Sequence, residues 1–317
     1  MKEAAIGIDI GGTNTVFGVV DRHGNCLIRN SIFTNSSISP ERFFKILYEE
    51  IEKTLKIVKE KIELKGVGIG APNGNFYKGT IEFAPNLKWK GIIDVVGIFK
   101  KYFDVPVCLT NDANAAAIGE MMYGGAKRMK DFIVITLGTG LGSGIVANGE
   151  LIYGHDGFAG EIGHTIYDYN GRKCGCGRKG CLETYVSAGG IKKTFVELLK
   201  LRNNKSELRK ISFNKLTTEM ISKAAKQGDK IALETFEITG KILGVKLADT
   251  VAHTSPEAIF LFGGVAKAGD LIFKPTKYYL EKKLLKIYKN KIKLLPSVLN
   301  DSDAAILGAS ALVWKLR

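Results

Sequence analysis

At 317 residues, 45% hydrophobic and 25% charged, the chain is long enough for two domains with a sizeable core. No run is apolar enough to span a bilayer, residues 1–9 carry acids where a signal peptide needs an apolar centre, and five cysteines, three of them within eight positions, do not form a secreted disulfide framework. The net charge of +14 comes from lysines spread over helical stretches with no basic arm, so a cytoplasmic protein with no nucleic-acid and no membrane partner is expected.

Ala4 to Ile10 reads as a buried strand running into Gly11-Gly12-Thr13-Asn14, with strands at Val16–Val20 and Cys26–Phe33 around a turn at Asp21-Arg22-His23-Gly24. Ser39-Pro40-Glu41 starts a helix by supplying a hydroxyl cap, a proline at the first position and an acid in the first turn. Phe44, Leu47, Ile51, Leu55, Val58 and Ile62 follow at helical spacing. Val67–Ala71 and Val105–Leu109 are strands, the second reaching Asn111-Asp112, and Ala113–Met122 is a helix. The opening pattern then recurs: a strand at Phe132–Leu137, a glycine loop at Gly138–Gly144 and a hairpin at Ile145–Ile152. Ala258–Phe262 is an apolar run ending in Gly263-Gly264. Lys277–Lys293 is helical, with Leu280, Leu284, Ile287 and Tyr288 as its apolar stripe. The repetition predicts two similar α/β domains whose glycine turns face a shared cleft: residues 1–118, with a helix at about 303–317 packing back on them, and residues 119–302.

Neither Gly11-Gly12-Thr13-Asn14 nor Gly138-Thr139-Gly140 fits a Walker loop or a dinucleotide fingerprint. Both nonetheless suit phosphate, because glycine lets backbone N–H groups converge on an anion and threonine adds a hydroxyl donor. Asp9, at the end of the first strand, is placed to hold Mg²⁺ through water. Asp112 lies between a strand and a small-residue helix, where it suits an N-cap and where the helix N-terminus stabilises an anion. In phosphoryl transfer the base need only orient a hydroxyl and take its proton late, so an aspartate of ordinary pKa suffices.

Gly160-Glu161-Ile162-Gly163-His164 is followed by Cys174, Cys176 and Cys181. One histidine and three cysteines form a tetrahedral Zn²⁺ set with no position left for water, so the metal is structural. A disulfide with one thiol left over, or a chance group of buried cysteines, are the alternatives. Cys26 and Cys108 lie in strand-like runs as core residues.

Together these stretches resemble the ROK family of sugar kinases and repressors. The resemblance rests on Asp9-Ile10-Gly11-Gly12-Thr13, Asn111-Asp112-Ala113-Asn114-Ala115-Ala116-Ala117, Leu137-Gly138-Thr139-Gly140-Leu141-Gly142, Gly160-Glu161-Ile162-Gly163-His164, Cys174-Gly175-Cys176-Gly177, Gly180-Cys181-Leu182-Glu183 and Phe262-Gly263-Gly264. It implies an actin-like ATPase (ribonuclease H-like) fold, with two α/β domains and ATP in the cleft. Phosphates would lie against Gly11, Gly12, Thr13 and Asn14 and against Gly138, Thr139 and Gly140, with adenosine near Gly263 and Gly264. The sugar would meet Asn86, Asn111, Asp112, Glu161, His164 and Glu183, with Asp112 as base and His164 serving both metal and sugar. Where many relatives have Ala-Pro-Gly, this chain has Ala71-Pro72-Asn73-Gly74, and Asn73 could add a hydrogen bond to the sugar.

Glu161-Ile162-Gly163-His164 resembles the glucokinase form, so ATP-dependent phosphorylation of glucose is the expected activity. Kinases of N-acetylmannosamine, N-acetylglucosamine or fructose are the alternatives, with polyphosphate as an alternative donor. A sugar-responsive repressor would carry a DNA-binding segment before the first strand, and only eight residues precede Asp9. The family resemblance also implies a homo-oligomer, a dimer or a tetramer.

Overall fold

The apolar run of β1 (Lys2–Ile10) is buried from Ala4 to Ile8 and again at Ile10, as a central strand must be. The computed structural model describes residues 1–58, 61–299 and 303–315. The chain forms two units, Met1–Lys130 with Gly144–Gly160 and Ser297–Arg317, and Asp131–Ser143 with Glu161–Pro296.

In the first unit, β1 pairs antiparallel with β2 (Asn14–Asp21), which pairs with β3 (Cys26–Phe33). Helix α1 (Pro40–Ile57) begins as the sequence dictates: the Ser39 side chain accepts a hydrogen bond from the Arg42 N–H at 3.3 Å. It stops earlier than the apolar spacing predicted, because Ile62 opens β4 (Ile62–Ala71) parallel to β1. Three short strands, β5 (Gly74–Asn75), β6 (Thr80–Glu82) and β7 (Ile92–Asp94), make a second small sheet. After α2 (Val95–Phe99), β8 (Val107–Asn111) completes the main sheet in the order β3-β2-β1-β4-β8 and leads into α3 (Asp112–Met122).

One face of this sheet is covered by Phe43, Phe44 and Leu47 of α1, with Trp89 and Phe99. The Phe44 ring lies 5.5 Å from Trp89 and 5.4 Å from Phe99, and burying each such ring contributes roughly 1.5–3 kcal/mol. The other face receives the C-terminal helix. There a side chain on Gly68 would place its Cβ 1.9 Å from the Ala309 carbonyl oxygen, so only glycine in β4 lets the helix backbone reach the sheet.

The second sheet has the order β11-β10-β9-β12-β13, formed by β9 (Phe132–Leu137), β10 (Leu141–Ala147), β11 (Glu150–Leu151), β12 (Ala258–Phe262) and β13 (Lys293–Pro296). It repeats the first sheet's plan of a hairpin followed by parallel strands, which is the repetition read from the sequence. Asn148 and Gly149 take φ of 53° and 78°, the left-handed pair of a two-residue hairpin turn between β10 and β11. Helices α4 (Glu183–Val186), α5 (Ala188–Leu201), α6 (Thr218–Lys226), α7 (Lys230–Thr254) and α8 (Asp270–Lys283) fill the second unit. The predicted helix over Lys277–Lys293 breaks at Lys283. Leu284 turns extended so that the chain can lay β13 beside β12, and Leu280 and Leu284 are buried while Ile287 is exposed. Helix α9 (Ala304–Lys315) packs on α3, β1 and β4 in the first unit.

Candidate active site

In the first unit, Asp9 pairs in register with Gly70 on β4, and Gly70 pairs with Thr110 on β8. A Cβ on Gly70 would lie 3.5 Å from Asp9 Oδ1 and 3.7 Å from Asp112 Cα, so the two aspartates flank one glycine. Burial and the neighbouring Asp112 charge push the Asp9 carboxyl up to about 7. Asp112 is not the helix cap. Asn111 takes that role, its side chain accepting from the Ala113 N–H at 2.8 Å, and Asp112 becomes the first helical residue. Its Oδ1 also accepts from the Ala113 N–H, at 2.8 Å, and Oδ2 accepts no hydrogen bond among the described residues. The carboxyl keeps solvent access, yet desolvation by surrounding protein raises its pKa against the Ala113 hydrogen bond, a rise that the chemistry read from the sequence did not require.

The turn Gly11–Asn14 is closed by the Gly11 N–H donating to the Asn14 carbonyl at 3.0 Å, which leaves Thr13 and Asn14 exposed. A Cβ on Gly12 would sit 2.9 Å from the Asn86 carbonyl oxygen. The loop carrying Asn86 therefore packs directly on the first glycine turn, and Asn86 is exposed there.

In the second unit the glycine loop is shorter than predicted, since β10 starts at Leu141. The Gly138 N–H donates to the Gly140 carbonyl at 3.0 Å. Leu137, at the end of β9, accepts from the Val265 N–H at 3.1 Å, which seats Gly263-Gly264 beside Gly138-Thr139-Gly140. Side chains added at Gly138 or Gly264 would meet open space, whereas one on Gly140 would lie 2.5 Å from Glu183 Oε2. Glu183 is the reason: its Oε2 accepts from the Leu141 N–H at 2.9 Å, tying α4 to the loop.

The four residues His164, Cys174, Cys176 and Cys181 bring their ligand atoms within 4.8 Å of one another. Cys174 Sγ is 3.7 Å from His164 Nδ1, and Cys176 Sγ is 3.6 Å from Cys181 Sγ. A tetrahedron with Zn–S bonds of about 2.3 Å has edges of about 3.8 Å, so the donor set fits zinc. Burial pushes the Cys181 thiol up to about 12. At Cys176 burial also opposes ionisation, but hydrogen bonds from Arg178 outweigh it and draw the thiol down to about 6. The second ring nitrogen of His164, Nε2, lies 3.9 Å from Glu161 Oε2, so one edge of the ring faces the cysteine cluster and the other a carboxylate.

The fold thus gathers Asp9, Gly12, Asn86, Asn111 and Asp112 in one unit, and the second glycine loop, Gly263-Gly264, Glu183 and the metal set in the other. Asn73 does not offer its amide N–H groups outward, because they are donated to the Glu82 and Phe83 carbonyls at 3.0 and 3.3 Å. Sequence reasoning missed Arg172. Its guanidinium donates to the Thr184 and Gly190 carbonyls at 2.9 and 3.1 Å and stacks over Tyr185, fastening the cysteine loop to α4 and α5. An arginine next to a Cys-Gly-Cys loop was the available signal.

The ROK family sequence model matches residues 5–315. The chain belongs to the ROK family. As a ROK protein it has the actin-like α/β ATPase fold that its two sheets of matching order display. It is 34% identical over 314 residues to the glucokinase of Halalkalibacterium halodurans, covering 97% of this chain and 94% of that protein. The xylose repressor of Bacillus spizizenii is 30% identical over 310 residues, covering 98% of this chain and 76% of the repressor. Among solved structures, a ROK family glucokinase from Streptomyces griseus in complex with glucose and AMPPNP aligns with a TM-score of 0.82 at 32% identity, covering 98% of this chain and 99% of that one. Among the described residues no helix is long and apolar enough to cross a membrane.

Proposed function

We propose that this chain is an ATP-dependent glucokinase that transfers the γ-phosphoryl group of ATP to the 6-hydroxyl of glucose. The observation that carries the reading is full-length similarity to a glucokinase solved with glucose and an ATP analogue. Asp112, at the first turn of α3, orients the 6-hydroxyl and accepts its proton through Oδ2 as the phosphoryl group departs ADP. Backbone N–H groups of Gly11–Asn14 and Gly138–Gly140 receive the phosphates, and adenosine lies by Gly263-Gly264. A Mg²⁺ carried with the nucleotide, held through Asp9, would supply charge neutralisation at the β- and γ-phosphates.

The sugar hydroxyls are met by Asn86, Asn111, Asp112, Glu161, His164 and Glu183. Glu183 already binds the Leu141 N–H, but each carboxylate oxygen keeps a second lone pair for a hydroxyl. His164, Cys174, Cys176 and Cys181 would hold a zinc ion that would fix the His164 ring, and Nε2 of that ring is left for the sugar. Free cysteines and an ATP donor support a reducing cytoplasm as its compartment.

The test is an ATP-coupled assay over glucose, mannose, fructose, N-acetylglucosamine and N-acetylmannosamine. Glucose should give the highest kcat/KM. Faster turnover of an N-acetylhexosamine would reassign the substrate, and sugar binding without ATP turnover would favour the repressor reading that the xylose repressor likeness raises.

A further inference from the structure

Pro72-Asn73 links β4 to β5. Asn73 stands there at φ 50°, a left-handed conformation that asparagine tolerates and glycine adopts without strain. A glycine would satisfy the backbone, so the asparagine needs another reason. Its Nδ2 supplies one: it donates to the Glu82 carbonyl at 3.0 Å and to the Phe83 carbonyl at 3.3 Å, and the Asn73 carbonyl accepts from the Glu82 N–H at 3.1 Å. Phe83 is itself at φ 50° and 70% exposed, an uncommon state for a large side chain that something outside the residue must hold. The segment it begins, Phe83-Ala84-Pro85-Asn86, carries Asn86 onto Gly12.

Two residues on, Asn75 is fully buried and holds a different segment. Its Nδ2 donates to the Asp156 carbonyl at 2.8 Å, while its Oδ1 accepts from the Tyr77 and Lys78 N–H groups at 3.1 and 3.2 Å. The Tyr77 hydroxyl donates to the Gly154 carbonyl at 3.1 Å, and the Phe76 and Tyr153 rings stack at 4.2 Å. Gly154–Gly157 is the stretch that runs into Glu161.

We propose that Asn73 and Asn75 are positioning residues for the sugar, one turn bracing both segments that deliver its ligands: Asn73 sets the path to Asn86 and Asn75 the path to Glu161. The inference rests on the glucokinase reading for its ligand, but the brace is a property of the unliganded chain. Neither asparagine is among the groups assigned to the sugar or the phosphates, and the first glycine turn, though packed against the Asn86 loop, is closed by its own Gly11 N–H to Asn14 carbonyl hydrogen bond.

Asn73→Gly is a clean test, since it keeps the backbone conformation and deletes only the side-chain hydrogen bonds. With each of the two bonds worth a factor of about 2 to 10, KM for glucose should rise roughly fourfold to hundredfold. KM for ATP and kcat should stay within about twofold, and the melting temperature should fall by no more than about 5 °C. Asn75→Asp, which keeps the acceptor and loses the donor to Asp156, should raise the glucose KM similarly. Hydrogen–deuterium exchange without ligand should speed up over residues 82–86 in the first variant and over 153–157 in the second, each leaving the other segment unchanged. An unaltered glucose KM, or a rise in the KM for both substrates together, overturns the positioning role. Unaltered exchange overturns the brace itself. A wild-type protein that turns over no hexose sinks the glucokinase reading and this role with it, while the exchange result still decides whether the brace exists.

Discussion

Asp9→Asn should stabilise the metal-free protein at neutral pH while impairing turnover. The Asp9 carboxyl is pushed from its ordinary 3.8 up to about 7 by burial and by Asp112. In the unfolded chain it is ionised above about pH 4, whereas the folded environment resists ionisation until about pH 7. Stability is therefore lost as pH rises through that window and stays low above it. The interval, at about 1.4 kcal/mol per tenfold in ionisation, sets an upper limit of about 4 kcal/mol. An uncharged isostere removes that cost. Thermal unfolding in chelator at about pH 8 should then show a gain of about 5–10 °C for a chain of this size, shrinking to under half by about pH 5. Mg²⁺ should raise the wild-type melting temperature and leave the variant's unchanged, because the cation relieves the same repulsion. A variant that melts at or below the wild type at about pH 8 would refute the claim that Asp9 is held against its charge for a cation.

Metal analysis of purified protein should find about one zinc per chain, and Cys181→Ser, at a fully buried ligand, should lose most of it and raise the glucose KM by about 10- to 100-fold; protein that is active and metal-free removes the zinc assignment. Gly140→Ala puts a Cβ 2.5 Å from Glu183 Oε2 and must displace that carboxylate from the Leu141 N–H. Losing a charged hydrogen bond predicts a rise of about tenfold or more in the KM for ATP, and an unchanged value would contradict the phosphate-loop assignment.

Much of the fold could be read wherever a residue type admits one local structure. Ser39-Pro40-Glu41 could only begin a helix, and the chain of β-branched and aromatic residues around Asp21–Gly24 could only be a hairpin. Periodicity overran where tertiary structure stopped it: Ile62 and Ile287 continue a helical spacing, but the first opens a strand and the second follows a break that the sheet imposes. The strands β5, β6 and β7, two or three residues each, are too short to show alternation. Asn111 and Asp112 are both good caps, and only the backbone reveals that asparagine takes that place and the aspartate becomes the first helical residue. The cluster of His164, Cys174, Cys176 and Cys181 was visible from its spacing. That Glu183 anchors the second glycine loop was not, because 42 positions separate it from Leu141.

The central claim is that Asp112 accepts the proton of a sugar hydroxyl as ATP is consumed, and the most direct measurement is the Asp112→Asn enzyme with glucose and Mg-ATP. General-base removal is worth about 10² to 10⁴ in rate, so kcat should fall by that factor, while calorimetric glucose affinity stays within a few-fold of wild type. Near-normal turnover by the asparagine enzyme would contradict the account.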